Sequence, residues 1–282
     1  MSLAPLPDIM LEPLARMALL EDLGRAGDIT TNAVVAPAER LRCAVTARRD
    51  GVVAGTDLVR IVYGLLDREV ACRILCPDGT RVRPGDVVIE IEGPARAILS
   101  GERVALNFLG HLCGVATATA SLVEAVRPFA TKITCTRKTT PGLRALEKHA
   151  VRAGGGVNHR FGLDDAVLIK DNHIAAAGSI ETAITRAREN VGHLVKIEVE
   201  IDTLDQLRAA LPLRPDAVLL DNMSIETLRE AVRLVDGAAV TEASGTITRE
   251  TIRAIAETGV DLASAGWITH SAPQLDLGLD IG

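Results

Sequence analysis

Six short apolar runs in the second half of this 282-residue chain, 133–137, 166–170, 195–201, 217–221, 239–242 and 260–263, end on residues that can do chemistry. The first carries Thr136, Arg137 and Lys138, and the second closes on Lys170 before Asp171-Asn172-His173. The segment 132–170 holds eight Lys or Arg against three acids, Glu147, Asp164 and Asp165, in a chain whose net charge is -6. A basic island in an acidic protein is a site for a small polyanion. Arg137, Lys138 and Lys170 close apolar runs and belong to that site. Arg144, Lys148 and Arg152 follow helical i, i+4, i+8 spacing and read instead as a solvated helix face. Glu200 and Asp221 end neighbouring runs, where carboxylates hold Mg²⁺ through water, accept hydrogen bonds from sugar hydroxyls, or pair internally with Lys196 or Lys170. Ser244-Gly245-Thr246 and Ala265-Gly266-Trp267 follow the last two runs, and backbone N–H groups of such loops commonly hold phosphate. Gly154-Gly155-Gly156 either ends a helix or lets backbone approach a ligand and aims His159 and Arg160 inward. His173 and His270 read as structural.

The elements that must position these groups follow from spacing. The runs start 33, 29, 22, 22 and 21 residues apart, and helical patterns fit between them at 142–153, 179–190, 203–211, 224–235 and 248–258. Regular strand–helix alternation implies right-handed βαβ units and a parallel sheet. About six to seven such strands suggest an α/β barrel, whose chemistry lies at the carboxyl ends of the strands. Strict alternation in Lys196-Ile197-Glu198-Val199-Glu200-Ile201 turns Lys196, Glu198 and Glu200 into the lumen. The first half reads as a small α+β unit: a helix over 6–23 that contains Pro13, strands at 42–47, 52–54, 69–75 and 86–91, and a long helix over 97–126. The run 104–123 is uncharged and long enough to span a bilayer. Asn107, His111 and its threonines and glycines make it a buried helix of a globular protein instead.

Composition removes whole classes. Acidic net charge argues against a nucleic-acid-binding domain, and 2% aromatic residues argue against base stacking. Cys43, Cys72, Cys76, Cys113 and Cys135 are too few and scattered for a disulfide framework, and Cys72 and Cys76 lack a second pair for zinc. Reduced thiols, and residues 1–8 with neither a basic nor an apolar signal region, give a cytoplasmic expectation. From the residues alone, two anionic partners and Mg²⁺ on an α/β barrel suit phosphoribosyl transfer.

Several segments, in order along nearly the whole chain, closely resemble the quinolinate phosphoribosyltransferase family. They are Glu21-Asp22-Leu23-Gly24, Gly27-Asp28-Ile29-Thr30-Thr31, and Glu102-Arg103-Val104-Ala105-Leu106-Asn107. The strongest are Thr136-Arg137-Lys138-Thr139-Thr140-Pro141-Gly142 and Gly154-Gly155-Gly156-Val157-Asn158-His159-Arg160. Leu168-Ile169-Lys170-Asp171-Asn172-His173, Glu198-Val199-Glu200, Leu220-Asp221-Asn222, Glu242-Ala243-Ser244-Gly245 and Thr269-His270-Ser271 complete the set.

The resemblance implies an N-terminal α/β sandwich domain over 1–103, joined by the tail 271–282, and an open α/β barrel over 104–270. It implies transfer of phosphoribosyl from phosphoribosyl pyrophosphate (PRPP) to quinolinate with decarboxylation, in de novo NAD synthesis, with Mg²⁺. It implies a homodimer, or a higher oligomer built from it. The quinolinate pocket carries over to Thr136, Arg137, Lys138, His159, Arg160 and Lys170, with Arg103 donated by the partner subunit. The PRPP side carries over to Glu200, Asp221, Ser244, Gly245, Thr246, Ala265, Gly266 and Trp267. Lys138, Lys170, Glu200 and Asp221 take the catalytic roles, and either lysine could stabilise the carbanion left by decarboxylation. The family usually has glycine where Thr246 stands and a small residue where Trp267 stands. Rival readings on the same motifs are a paralogue linked to molybdenum transport, nicotinate phosphoribosyltransferase, and a catalytically silent anion-binding protein.

Overall fold

A computed structural model describes residues 3–282; Met1 and Ser2, at the start of the segment expected to lack a signal sequence, lie outside the described residues. In chain order the first elements are α1 (Asp8–Leu23), α2 (Ile29–Val34), β1 (Arg40–Ala47), β2 (Gly51–Val52), α3 (Thr56–Leu66) and β3 (Ala71–Ile74). Then come β4 (Arg81–Val82), β5 (Val87–Pro94), α4 (Ala95–Ala125), β6 (Lys132–Thr134), α5 (Arg144–Ala153), β7 (Val167–Ile169), α6 (Asp171–Ala177) and α7 (Ile180–Asn190). The rest are β8 (Ile197–Ile201), α8 (Leu204–Ala210), β9 (Ala217–Asp221), α9 (Ile225–Val235), β10 (Val240–Ser244), α10 (Ile252–Ala256), β11 (Leu262–Ser264), α11 (Trp267–His270) and β12 (Leu277–Ile281).

These elements form two compact units. One comprises the chain up to Ala120, with Thr140–Gly155 and Ser271–Gly282. Its antiparallel sheet has the order β12-β1-β5-β3, so the C-terminal tail is an edge strand, Cys43 facing Ile281 and Ala47 facing Leu277. Helix α1 buries Leu11, Ala15 and Leu19, an i, i+4, i+8 stripe, despite Pro13. Asp28 caps α2 by accepting from the Thr31 N–H at 2.9 Å. The expected division at residue 103 falls inside α4, a single 31-residue helix that stays with this unit as far as Ala120. The most apolar stretch of α4 has a mean hydropathy of 1.4, enough by length and composition to cross a membrane, but 67% of it is buried inside the protein. That is the pattern of a core helix.

Helix α5 also belongs to this unit; it corrects one expectation and decides between the two readings of the glycine run. Lys148 is not part of a solvated face; it is 3% exposed, and its neighbour Glu147 is fully buried. Glu147 meets His111 Nε2 at 2.9 Å and accepts the Thr140 N–H at 3.1 Å. The glycine run is a helix end rather than a ligand loop. Gly154 caps α5, and a Cβ there would collide with the Ala116 carbonyl and lie 2.7 Å from Thr119 Cβ. Gly155 has φ +86, the left-handed exit that glycine supplies without strain.

The second unit, Ser121–Thr139 and Gly156–His270, holds a six-stranded parallel sheet in the order β6-β11-β10-β9-β8-β7. No pairing joins β6 to β7, so this is the open α/β barrel anticipated from the alternation. Ile197, Val199 and Ile201 are buried, and Glu198 and Glu200 alternate with them. Lys196 departs from the expected inward set. It precedes the strand, is 77% exposed in its side chain, and pairs with Asp216 at 2.5 Å.

Candidate active site

The carboxyl ends of the six parallel strands enclose a cleft of about 730 Å³. Its lining includes Thr136, Arg137, Lys138, His159, Arg160, Lys170, Glu200 and Asp221, with Ser244, Gly245, Thr246, Ala265, Gly266 and Trp267. Arg103 is the exception among the expected site residues. It lies on α4 in the other unit, 66% exposed in its side chain, with Glu102 3.8 Å away.

One end of the cleft is cationic and electrostatically incomplete. The Nε atoms of Arg137 and Arg160 are buried without a hydrogen-bond partner among the described residues. Arg160 spends one terminal nitrogen on the Ala166 carbonyl at 2.9 Å. Burial, and then the nearby Arg137 guanidinium, pull its pKa below the usual arginine value. Unpartnered buried donors of like charge call for an anion with more than one acceptor oxygen. Lys138 joins them with its ammonium free of any partner among the described residues, while its carbonyl accepts the Thr269 hydroxyl at 2.8 Å. Its stem runs past Gly266, where an added Cβ would lie 2.9 Å from Lys138 Cδ.

His159 is held differently from a simple ligand. Its Nδ1 accepts the Arg160 backbone N–H at 2.7 Å, and its Nε2 meets Glu198 Oε2 at 2.9 Å. With both ring nitrogens engaged within the protein, it braces the segment that carries Arg160. Beneath it Glu242 is 1% exposed, with Oε1 3.7 Å from His159 Nε2 and without a hydrogen-bond partner. Burial, reinforced by the charge of Glu198, pushes the Glu242 carboxyl up to about 7.

At the centre, Lys170 Nζ donates to Glu200 Oε2 at 2.5 Å, the internal pairing that was one of the readings of Glu200. Asp221 Oδ2 accepts from Asn222 Nδ2 at 2.6 Å. Carboxylate oxygens of Glu200, Asp202 and Asp221 lie within 4.8 Å of one another, and such hard oxygen donors fit Mg²⁺. Asp202 and Asn222 were visible in the sequence beside Glu200 and Asp221, but nothing in their spacing singled them out. Glu198 was read as lumenal without a role, and only the fold shows its contact with His159. His173 is a cap, as expected of a structural histidine: its Nδ1 accepts the Lys170 N–H at 2.9 Å at the start of α6.

The opposite end is a backbone turn. After β10, Gly245 has φ +96 and Thr246 φ +47. The N–H groups of Gly245, Thr246 and Ile247 have no partner among the described residues, which makes a concavity suited to phosphate. The helix expected at 248–258 is shorter, starting at Ile252, so the turn rather than a helix terminus offers the donors. Trp267, where the family usually has a small residue, lines the cleft with its indole N–H donating to the Ile247 carbonyl at 2.8 Å.

Comparison with known proteins agrees along the whole chain. Models of the quinolinate phosphoribosyl transferase N-terminal and C-terminal domains match residues 28–113 and 115–280. The Mycobacterium leprae nicotinate-nucleotide pyrophosphorylase (carboxylating) is 43% identical over 273 residues, 94% of this chain and 95% of that protein. A Nicotiana tabacum quinolinate phosphoribosyltransferase (decarboxylating) is 36% identical over 293 residues, covering 98% and 83%. The crystal structure of NadC from Streptococcus pyogenes superposes with a TM-score of 0.95 at 41% identity, over 99% of each chain.

Proposed function

Since the chain belongs to the quinolinate phosphoribosyltransferase family, we propose that its cleft joins quinolinate to PRPP, giving nicotinate mononucleotide, pyrophosphate and CO₂. It is a pentosyltransferase of NAD synthesis. The observation that carries the substrate assignment is the pair of buried, unpartnered Nε atoms on Arg137 and Arg160. Two adjacent carboxylates on a small ring would satisfy both.

In this reading Arg137, Arg160 and Lys138 hold the dicarboxylate, and His159 keeps Arg160 in place. The pyridine nitrogen attacks C1 of the ribose as pyrophosphate leaves. Positive charge develops on the sugar, and Glu200 and Asp221 are the carboxylates at that position to favour it. The C2–carboxylate bond then breaks, CO₂ departs, and the electron pair stays on C2 beside the cationic ring nitrogen until C2 takes a proton. We assign stabilisation of that charge to Lys138, because the Lys170 ammonium is already neutralised by Glu200. Glu200, Asp202 and Asp221 would hold Mg²⁺, directly or through water, and the ion would neutralise the departing pyrophosphate. The turn 244–247 and Gly266 take the 5′-phosphate.

We place the enzyme in the cytoplasm as a homodimer in which Arg103 reaches the partner's quinolinate site. Among the described residues of its own unit, no partner beyond Glu102 claims that exposed guanidinium. The specificity reading is tested by calorimetric titration: quinolinate binds at least tenfold tighter than nicotinate, about 1.4 kcal/mol, and equal affinities would refute it. The dimer reading is tested by mixing Arg103→Ala with Lys170→Ala subunits. A mixed dimer has one intact site and regains up to about half of the normal activity by symmetry. No recovery after verified subunit exchange would show that Arg103 does not act across the dimer.

A further inference from the structure

Four non-glycine residues among those described have positive φ: Arg214, Asn222, Asp236 and Thr246. Thr246, at φ +47, is the β-branched one, and such residues rarely take the left-handed region. It also sits in the turn that lines the cleft and whose N–H groups have no partner among the described residues. A strained residue in a binding turn persists where its surroundings over-determine it, and two hydrogen bonds and one buried side chain do so here. The Thr251 hydroxyl donates to the Thr246 carbonyl at 3.0 Å. Ile247 is buried, 4% exposed. The Ile247 carbonyl accepts the Trp267 indole N–H at 2.8 Å. Trp267 opens α11, and Thr269 of the same turn donates to the Lys138 carbonyl at 2.8 Å. One indole therefore ties the turn after β10 to the segment after β11 that carries Gly266 and anchors Lys138.

We propose that Trp267 is a positioning residue for the phosphate end of the cleft: its N–H fixes the Ile247 carbonyl and so holds Thr246 in the left-handed turn that aims the 245–247 N–H groups at the ligand. The phosphate role rests on the functional reading above. The inference makes Thr246 and Trp267 a matched pair. Glycine at 246 needs no strut, because its left-handed conformation carries no Cβ strain, whereas threonine does.

Trp267 is the single tryptophan of the chain, so global replacement of tryptophan by benzothienylalanine, which has sulfur in place of the indole N–H, alters this position alone and keeps its bulk. The replacement is made in the native sequence and in Thr246→Gly. PRPP affinity is measured by calorimetry with Mg²⁺, and stability by urea unfolding without ligand. With Thr246 present, loss of the N–H raises the Kd for PRPP about fivefold, the factor for one ordinary hydrogen bond, and lowers the urea midpoint. In Thr246→Gly both effects fall below half of that size, while the KM for quinolinate is unmoved in either background. Equal effects in the two backgrounds, or none in the native sequence, would overturn the pairing. Failure of the unmodified protein to bind PRPP would instead sink the functional reading, and the urea midpoints still decide the strut.

Discussion

Replacing Glu242 by glutamine removes one ionisable proton from the barrel interior and little else. Glu242 lies on β10, 1% exposed, facing Glu198 and His159. Desolvation, then the charge of Glu198, raise its pKa from 4.5 to about 7, and His159 and Ser264 offset only part of this. The folded protein therefore binds this proton more tightly than the unfolded chain does. Folding stability from this group is fully present below pH 4.5 and is lost as pH rises to about 7, after which nothing more changes. At about 1.4 kcal/mol per pH unit the loss is roughly 3–4 kcal/mol across that window. A glutamine side chain at this position stays neutral throughout. The difference in unfolding free energy between the Glu242→Gln variant and the native protein should thus grow by roughly 3–4 kcal/mol between its flat limits well below pH 4.5 and well above pH 7. Urea unfolding of both proteins at half-unit pH steps reads this directly, because all groups that titrate alike in both cancel in the difference. A difference that stays constant, or shrinks as pH rises, would refute the protonated Glu242 and the cause assigned to it.

Three further outcomes follow from the cleft. Arg137→Ala or Arg160→Ala raises the KM for quinolinate at least tenfold, about 1.4 kcal/mol or more, with the KM for PRPP changing far less; an unchanged quinolinate KM in the folded variant contradicts the assignment. Asp221→Asn lowers kcat more than it raises the KM for quinolinate, since its carboxylate acts as charge develops on the sugar; near-normal kcat with weakened quinolinate binding would put Asp221 on the wrong substrate. Gly245→Ala adds a Cβ that collides with Asn222 Oδ1, lies 2.7 Å from Asn222 Cγ, and sits at φ +96. It should weaken PRPP binding at least tenfold, from left-handed strain of about 1–2 kcal/mol plus displacement of Asn222, and calorimetry showing native affinity would contradict the turn's role.

The barrel was legible because its signal is long and periodic. Regular alternation from 133 to 263 set the succession of strands, and each of the six expected strands appears in one parallel sheet. Helix α3 was not legible: Val59, Ile61 and Val62 are β-branched and favour strands locally, and only burial of Leu58, Val59, Ile61, Val62 and Tyr63 in the first unit makes the segment helical. Strand β12 was missed by pattern and foreseen only through the family's returning tail. At the site, charged residues closing apolar strands located the anion pocket, because strand direction alone sends them to one end. Side-chain partners were not readable. Lys148 follows a surface period yet is buried, Lys196 precedes its strand and faces solvent, and His159 turns both nitrogens inward. Each of these is decided by tertiary neighbours that no spacing encodes. The same holds for Trp267, whose N–H bridges two loops.

One reaction tests most directly whether an arginine-rich barrel mouth and a backbone phosphate turn together make a quinolinate phosphoribosyltransferase. Purified protein is incubated with quinolinate labelled at the 2-carboxylate, PRPP and Mg²⁺, with nicotinate in a parallel vessel. Equal amounts of nicotinate mononucleotide, pyrophosphate and labelled CO₂ are expected from quinolinate, and at least tenfold less mononucleotide from nicotinate. Mononucleotide formed from nicotinate as readily as from quinolinate, or no product from either with folded protein, would contradict that assignment.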